Sequence, residues 1–389
     1  MSPAETVERI LPMMRTAGIT RVADVTGLDT IGIPVVMVCR PNSRSVAVAQ
    51  GKGLDLDAAR ASGLMESLEQ WHAEHILQPV RFATATELAA RHRLVELEGL
   101  PRLSIGSLDP HRKLLWIEGA DLVDGDSRWL PFEVVHTDYT LPTPPGAGCF
   151  LTTSTGLASG NNHTEAVLHG LYEVIERDAV ALWRAAGPGR RRATRVDLAS
   201  VDDPACRDLL ARFDRAGIAV GVWEVTSDIG LPVFVAEIVD RDPDACRVLC
   251  VSAGQGCHSA RAIALSRALT EAAQSRLTLI SGARDDLDRT SYEQVRAPHH
   301  IAAAVAEIEQ FAGPWRAFAA APDRFSVHLV EDLDHALAAA RAAGAGQVVV
   351  VDLARPELGL PVVRVVVPGL ESMWDAPGYT PGRRAREVS

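Results

Sequence analysis

The sequence predicts a fold in which β-hairpins and helices are each repeated three times, and three observations predict it. An apolar run broken by a Gly-Pro turn recurs along the chain. A Gly-rich turn followed by a helical pattern with acids at fixed positions also recurs. The three helical copies align without a gap. In such a chain symmetry supplies the scaffold, and departures from it mark specialised roles.

The hairpin copies are DVTGLDTIGIPVVMV from Asp24, EVTSDIGLPVFVAEI from Glu224 and DLARPELGLPVVRVV from Asp352. Each carries Gly-(Ile/Leu)-Pro-Val-(Val/Phe) at the start of its second strand: Gly32 to Val36, Gly230 to Phe234, Gly359 to Val363. Proline fits there because the first residue of a strand tolerates a missing ladder donor.

The helical copies are GKGLDLDAARASGLMESLEQWHAE, GLASGNNHTEAVLHGLYEVIERDA and GQGCHSARAIALSRALTEAAQSRL, aligned on Glu66, Glu173 and Glu271. All three have Ala upstream (Ala59, Ala166, Ala264) and Leu nearer the acid (Leu64, Leu171, Leu269). One helical step downstream stand Glu69, Glu176 and Gln274. Residues at i and i+3 share a helix face, so each acid and its partner project together. The preceding turn, with Asp, Asn or Thr, supplies the start signal for the helix.

Composition sets outer limits. At 389 residues with 47% hydrophobic content the chain has ample core for two or three domains, or for one large domain with internal symmetry. The opening MSPAETVERILPMMRTAG has early acids and no signal-peptide core, and no later run approaches the roughly 18 apolar residues of a membrane span. A cytoplasmic protein without membrane contact is expected. The six cysteines (39, 149, 206, 246, 250, 257) show no CxxC or zinc spacing and read as incidental thiols. A net charge of -11 argues against nonspecific nucleic-acid binding, and the basic run RAAGPGRRRATR at 184 to 195 reads as a solvated loop.

A lone Glu-x-x-Glu is usually solvated surface. Here the pair recurs on helices otherwise rich in Ala, Leu and Val. If two such helices pack together, Glu66, Glu69, Glu173 and Glu176 bring four carboxylates close, and like charges at that range need a cation. All-oxygen ligation selects magnesium, calcium or manganese over zinc or copper, and magnesium leaves positions open for phosphate. A nucleoside triphosphate is the natural companion. No P-loop competes, since Gly51-Lys52-Gly53 lacks the upstream glycine and the hydroxyl, and no clean G-x-G-x-x-G follows a strand. Arg177, Arg276 and Arg21 are candidates for phosphate contacts, with an ion-pair role as the alternative for each. Asn161 and Glu165 are candidates for metal, phosphate or ribose, with helix capping as the alternative. His163, His169 and His258 lie near the repeat turns and are weak acid/base candidates.

With QGKGLDLDAARASGLMESLEQ before it and ALTEAAQSRL after it, GLASGNNHTEAVLHGLYEVIERDA resembles the YcaO family over about residues 18 to 371. The resemblance implies a single YcaO-like domain across 1–389, of α+β class, with repeated hairpin and helix units around a central nucleotide site. It implies ATP and Mg2+ as cofactors and a peptide as substrate. It places Glu66, Glu69, Glu173 and Glu176 as magnesium ligands, and Ser62, Asn161, Glu165 and Arg177 on the nucleotide. Gln274, Arg276 and Arg21 are carried over less directly, and Arg177 with Glu176 takes the catalytic assignment.

The implied chemistry has a physical rationale. An amide resists attack because resonance gives it partial double-bond character and its oxygen leaves poorly. Phosphorylating that oxygen removes both obstacles, after which a nucleophile adds and phosphate departs. No covalent enzyme nucleophile is required, in keeping with the lack of a Ser-His-Asp or Cys-His constellation. Azoline-forming members resemble one another in a Pro-x-Pro-x-Pro tail, whereas this sequence ends DAPGYTPGRRAREVS. The hairpin GITRVADVTGLDTIGIPVVMVCRP and the closing VVRVVVPGLE look instead like members that work beside a TfuA-type partner delivering sulfur, and make thioamides. Azoline or amidine formation is the runner-up, a homodimer stays open, and a non-catalytic peptide-binding module or a magnesium phosphohydrolase are readings from other classes.

Overall fold

The structure is a computed structural model that describes residues 1–241, 251–284, 289–290, 293 and 298–389. Cys246 and Cys250 lie outside the described residues. In chain order, α1 (Pro3–Ile10) and α2 (Met14–Ala17) precede β1 (Arg21–Asp24), β2 (Val35–Cys39), β3 (Val48–Lys52) and α3 (Leu56–Glu74). Next come β4 (Val80–Thr84), α4 (Ala85–Ala89), β5 (Lys113–Asp121), β6 (Ser127–Pro131), β7 (Leu157–Ser159), α5 (His163–Ala185) and α6 (Gly187–Ala193). These lead to β8 (Val196–Asp197), α7 (Pro204–Arg215), β9 (Ile218–Glu224), β10 (Val233–Asp240), β11 (Ser252–Cys257) and α8 (Arg261–Ser281). The last are α9 (Pro298–Glu309), β12 (Arg316–Ala317), α10 (Leu329–Ala342), β13 (Val349–Asp352), β14 (Val362–Val366) and α11 (Arg383–Val388).

The fold is α+β, and the chain divides into two compact units. The first comprises Met1–Ser67, Pro188–Thr226 and Leu231–Phe325; the second comprises Leu68–Gly187, Ser227–Gly230 and Ser326–Ser389. The first unit holds two antiparallel sheets, β1-β2-β3 and β9-β10-β11, and a parallel β8/β12 pair. Its core places Phe213 and Leu209 of α7 and Leu265, Leu269 and Ala272 of α8 against Val222, Phe234 and Ile238. Val35 and Met37 of the first hairpin pack with Leu277 of α8. The second unit is built on an antiparallel sheet in the order β4-β5-β13-β14-β7, with β6 beside β5, and α5 packs on β14 and β7.

All three predicted hairpins form, in one register. The acid ending each first strand pairs with the second residue after the proline: Asp24 with Val36, Glu224 with Phe234, Asp352 with Val363. The turn glycines Gly32, Gly230 and Gly359 have φ of 72°, 79° and 63°. A Cβ at Gly230 would meet nothing within 4 Å, so the backbone alone resists substitution there. Gly230→Ala is therefore expected to cost about 1–2 kcal/mol, the penalty for an L-residue in the left-handed region. Chemical denaturation checks this: the midpoint should fall with an unchanged slope.

The sequence reading missed a third strand in each repeat. Val35, Val233 and Val362 pair on their other side with Lys52, Cys257 and Ser159. These strands read VAQGK, SAGQGC and LAS, too small and polar to show alternation. Their glycines have a packing reason. A Cβ on Gly51 would overlap the carbonyl oxygen of Ala59, and one on Gly256 that of Ala264. The strand lies against the helix at the repeated alanine. Ala59, Ala166 and Ala264 are all fully buried, and so, to within 1%, are Leu64, Leu171 and Leu269.

The predicted solvated loop at 184 to 195 is not one. Residues 187 to 193 are helical, and Arg191 pairs with Glu237 at 2.5 Å and also with Glu307. Arg195 is 2% exposed, with its guanidinium 4.6 Å from the Trp223 ring centre and Nη2 donating to the carbonyls of Val220 and Ile308. The two acids and the ring give these cations partners that water would otherwise supply, which Gly/Pro spacing alone does not reveal. Cys39, Cys149, Cys206 and Cys257 are free thiols, as expected. Among the described residues no helix is long and apolar enough to cross a membrane.

Candidate active site on the repeated helices

The start of each acid helix is fixed differently. Asp55 Oδ1 accepts from the Ala58 N–H at 2.8 Å at the head of α3, and Asn162 Oδ1 accepts from the Glu165 N–H at 2.9 Å at the head of α5. At α8 the N-cap residue is Ala260, which has no capping side chain; Asp323 accepts from the Arg261 N–H at 2.9 Å. Capping therefore belongs to Asn162, one residue beyond the candidate Asn161. Glu165 bends back to accept from the backbone N–H of Asn161 at 3.1 Å and from its Nδ2 at 3.3 Å. Both candidates stay half-buried beside the first turn of α5.

In the second unit the acids are turned onto local donors. Glu69 Oε1 accepts from the Ser159 N–H at 2.9 Å and its hydroxyl at 2.6 Å. Glu173 accepts from the Gly156 N–H at 3.1 Å. Arg177 spans the pair on α5, with Nη2 3.4 Å from Glu173 Oε1 and Nη1 3.4 Å from Glu176 Oε1. Glu176 is 3% exposed, so the pair is drawn inward. Among the described residues no three His, Cys, Asp or Glu side chains converge closely enough to hold a metal as they lie. The donor set nonetheless fits a hard cation. It is all oxygen, it is buried or half-buried, and a guanidinium shared by two carboxylates marks a position where positive charge is needed.

Asp178, the next residue, is fully buried and points to a different task. It accepts from Arg384 at 3.0 Å through both oxygens and from the Glu371 N–H at 2.9 Å. Glu371 in turn accepts from the Tyr379 hydroxyl at 2.6 Å and from the N–H groups of Gly382 at 2.8 Å and Ala385 at 2.9 Å. These bonds hold the segment through α11 against α5, next to Glu176 and Arg177.

In the first unit, Ser62 and Glu66 lie half-buried one turn apart on α3, and Arg21 is exposed at the start of β1. Gln274 carries a buried Oε1 with no hydrogen-bond partner. Arg276 is 3% exposed and committed to ion pairs: Nε to Asp29 at 2.9 Å, Nη1 and Nη2 to Asp240 at 2.9 and 3.1 Å. The ion-pair alternative is the arrangement present, because two half-buried acids, Asp29 and Asp240, claim both edges of its fork. Sequence reasoning did not single out Lys52, whose Nζ lies 2.6 Å from Glu271 Oε2; Glu271 also accepts from the Gln255 N–H at 3.2 Å. Its signal is positional. Lys52 and Ser159 occupy the same place in the repeated third strand, and each touches an acid on a repeat helix. His163 and His169 are exposed, while burial holds His258 down to about 4, so it stays neutral with Nδ1 accepting from the Ala260 N–H.

Comparison with known proteins gives the chain a family. A family model described as YcaO cyclodehydratase, ATP- and Mg2+-binding, matches residues 50–371. An uncharacterized protein in the tfuA 3' region of Rhizobium leguminosarum bv. trifolii is 39% identical over 378 residues, covering 95% of this chain and 88% of its own. Among solved structures, YcaO from Methanopyrus kandleri bound with AMPPCP and Mg2+ superposes with a TM-score of 0.76 at 22% identity, covering 99% of this chain and 96% of that one. A heterocyclase in complex with substrate and cofactor gives 0.78 at 23% identity; this chain, 99% covered, spans only 54% of it. The repeated acid helices thus have a family: the chain belongs to the YcaO family of ATP- and Mg2+-binding, cyclodehydratase-type proteins.

Proposed function

We propose that the chain uses ATP to phosphorylate the oxygen of a peptide backbone amide, and that sulfide delivered by a TfuA-type partner then replaces that oxygen to give a thioamide. The relative in the tfuA 3' region, 39% identical over 95% of the chain, carries the choice of sulfur as nucleophile. Glu66, Glu69, Glu173 and Glu176 would hold Mg2+, which when bound neutralises charge on phosphoryl oxygens. Arg177 then turns from its two acids toward the transferred phosphoryl group, since a planar fork suits phosphate. Asn161, Glu165 and Ser62 contact the nucleotide, and Gln274 offers its unpartnered Oε1 as an acceptor. Arg21, exposed on β1, keeps its place as a phosphate candidate.

The balance is simple. The amide oxygen attacks the γ-phosphorus and ADP leaves; hydrosulfide adds to the carbon; the C–O bond breaks and phosphate carries the oxygen away. Mass spectrometry of a co-expressed peptide should show a gain of about 16 mass units that needs ATP, Mg2+ and a sulfur source together. The cyclodehydratase description of the family favours a second reading. A loss of about 18 mass units at Cys, Ser or Thr without added sulfur would establish it and defeat the first.

A further inference from the structure

The second unit contains a buried cation that makes no ion pair among the described residues. Arg364, on β14, is 3% exposed, and its Nη2 donates to the Thr153 carbonyl at 2.5 Å. Its Nε and Nη1 are buried with no hydrogen-bond partner, and among the described residues it forms no ion pair. Burial pulls the guanidinium down to about 10 even though Tyr139 and Glu173 act to raise it.

Other unsatisfied groups accompany it. His136 Nδ1 accepts from the Asp138 N–H at 3.1 Å, and burial, aided by Arg364 and opposed by Asp138, lowers its pKa. The ring is therefore neutral with its proton on Nε2. That N–H is buried and unpartnered, as are the hydroxyls of Thr137 and Thr155. Thr155 lies two residues beyond the carbonyl that Arg364 grips, and its N–H donates to Thr153 Oγ1 at 3.3 Å. Each buried donor left unmade costs about 1–3 kcal/mol, more when it is charged. Every orphan here can donate. Water would satisfy the donors but not the charge, whereas a small anion rich in oxygen answers both.

We propose that Arg364, His136, Thr137 and Thr155 form a subsite for a phosphate-class oxyanion. Gly156, whose N–H donates to Glu173, closes the same segment, so the anion taken is the phosphate released when the activated amide oxygen departs; that identity rests on the function proposed above, while the binding itself does not.

The test is calorimetric titration of the full chain with inorganic phosphate, without ATP or Mg2+, at an ionic strength held constant with chloride. Wild type should bind, and Arg364→Gln should bind at least about tenfold more weakly. Because that variant could fail to fold, Thr137→Val and Thr155→Val provide a second route. Each removes one hydroxyl at nearly constant volume and should weaken binding about three- to tenfold. Equal affinity in all the variants that fold, or no binding by wild type, overturns the subsite. Phosphate should still bind in the presence of saturating ADP; competition by ADP would overturn the assignment to free phosphate. Glu176→Gln separates the two proposals, since it should keep phosphate binding whatever happens to turnover.

Discussion

Glu176→Gln is expected to abolish ATP-dependent modification while the protein remains folded. The exchange keeps volume and an Oε1 acceptor, and removes one charge from a residue that is 3% exposed. Arg177 is not stranded, because Glu173 still lies 3.4 Å from its Nη2. The structural cost should therefore stay within about 1–2 kcal/mol, the range for one charge-assisted hydrogen bond. Glu69→Gln should be gentler still, since one amide oxygen can accept both Ser159 bonds that Glu69 Oε1 now accepts. Wild type should gain thermal stability from Mg-ATP, following the mass-action rule for a ligand that binds only the native state, and neither variant should. Circular dichroism, melting with and without Mg-ATP, and turnover together decide the matter. Full turnover in both variants would remove these acids from the magnesium site.

Local pattern carried much of this into the sequence. The hairpins were legible because a left-handed Gly and a strand-entry Pro recur at one spacing, and the helices because Ala, Leu and acid recur at fixed intervals. The third strands were not, since Gly51 and Gly256 are there to let backbone approach helix and leave no apolar alternation to read. The acids could be found at i and i+3, but what they touch could not. Lys52 meets Glu271, and Arg276 meets Asp29 and Asp240, across stretches of sequence that no local pattern links. The order of residues likewise hides that Asp178, beside two candidate site residues, serves Arg384 and Glu371. Arg364 is a further case. Within VVRVV it looks like the outward residue of a strand, and only the packed sheet reveals that it is buried with two donors unmet.

Arg177→Lys is expected to slow turnover about 10- to 1,000-fold, equivalent to about 1.4–4 kcal/mol of transition-state stabilisation. The positive charge remains, so the loss would measure geometry. Arg177 now reaches two carboxylates at once, one through each terminal nitrogen, with its side chain 18% exposed. A lysine ammonium is a point charge on a flexible stem and cannot present two parallel donors to one phosphoryl group. If Arg177 serves only to hold Glu173 and Glu176 apart from one another's charge, lysine should do nearly as well, and stability rather than rate would change. The two roles separate in the kinetics. Lost phosphoryl stabilisation lowers kcat with Mg-ATP affinity nearly intact, whereas a misplaced acid pair weakens Mg-ATP binding and raises KM. Full activity in the lysine variant would make Arg177 a structural ion-pair residue and leave the phosphoryl group without its proposed arginine.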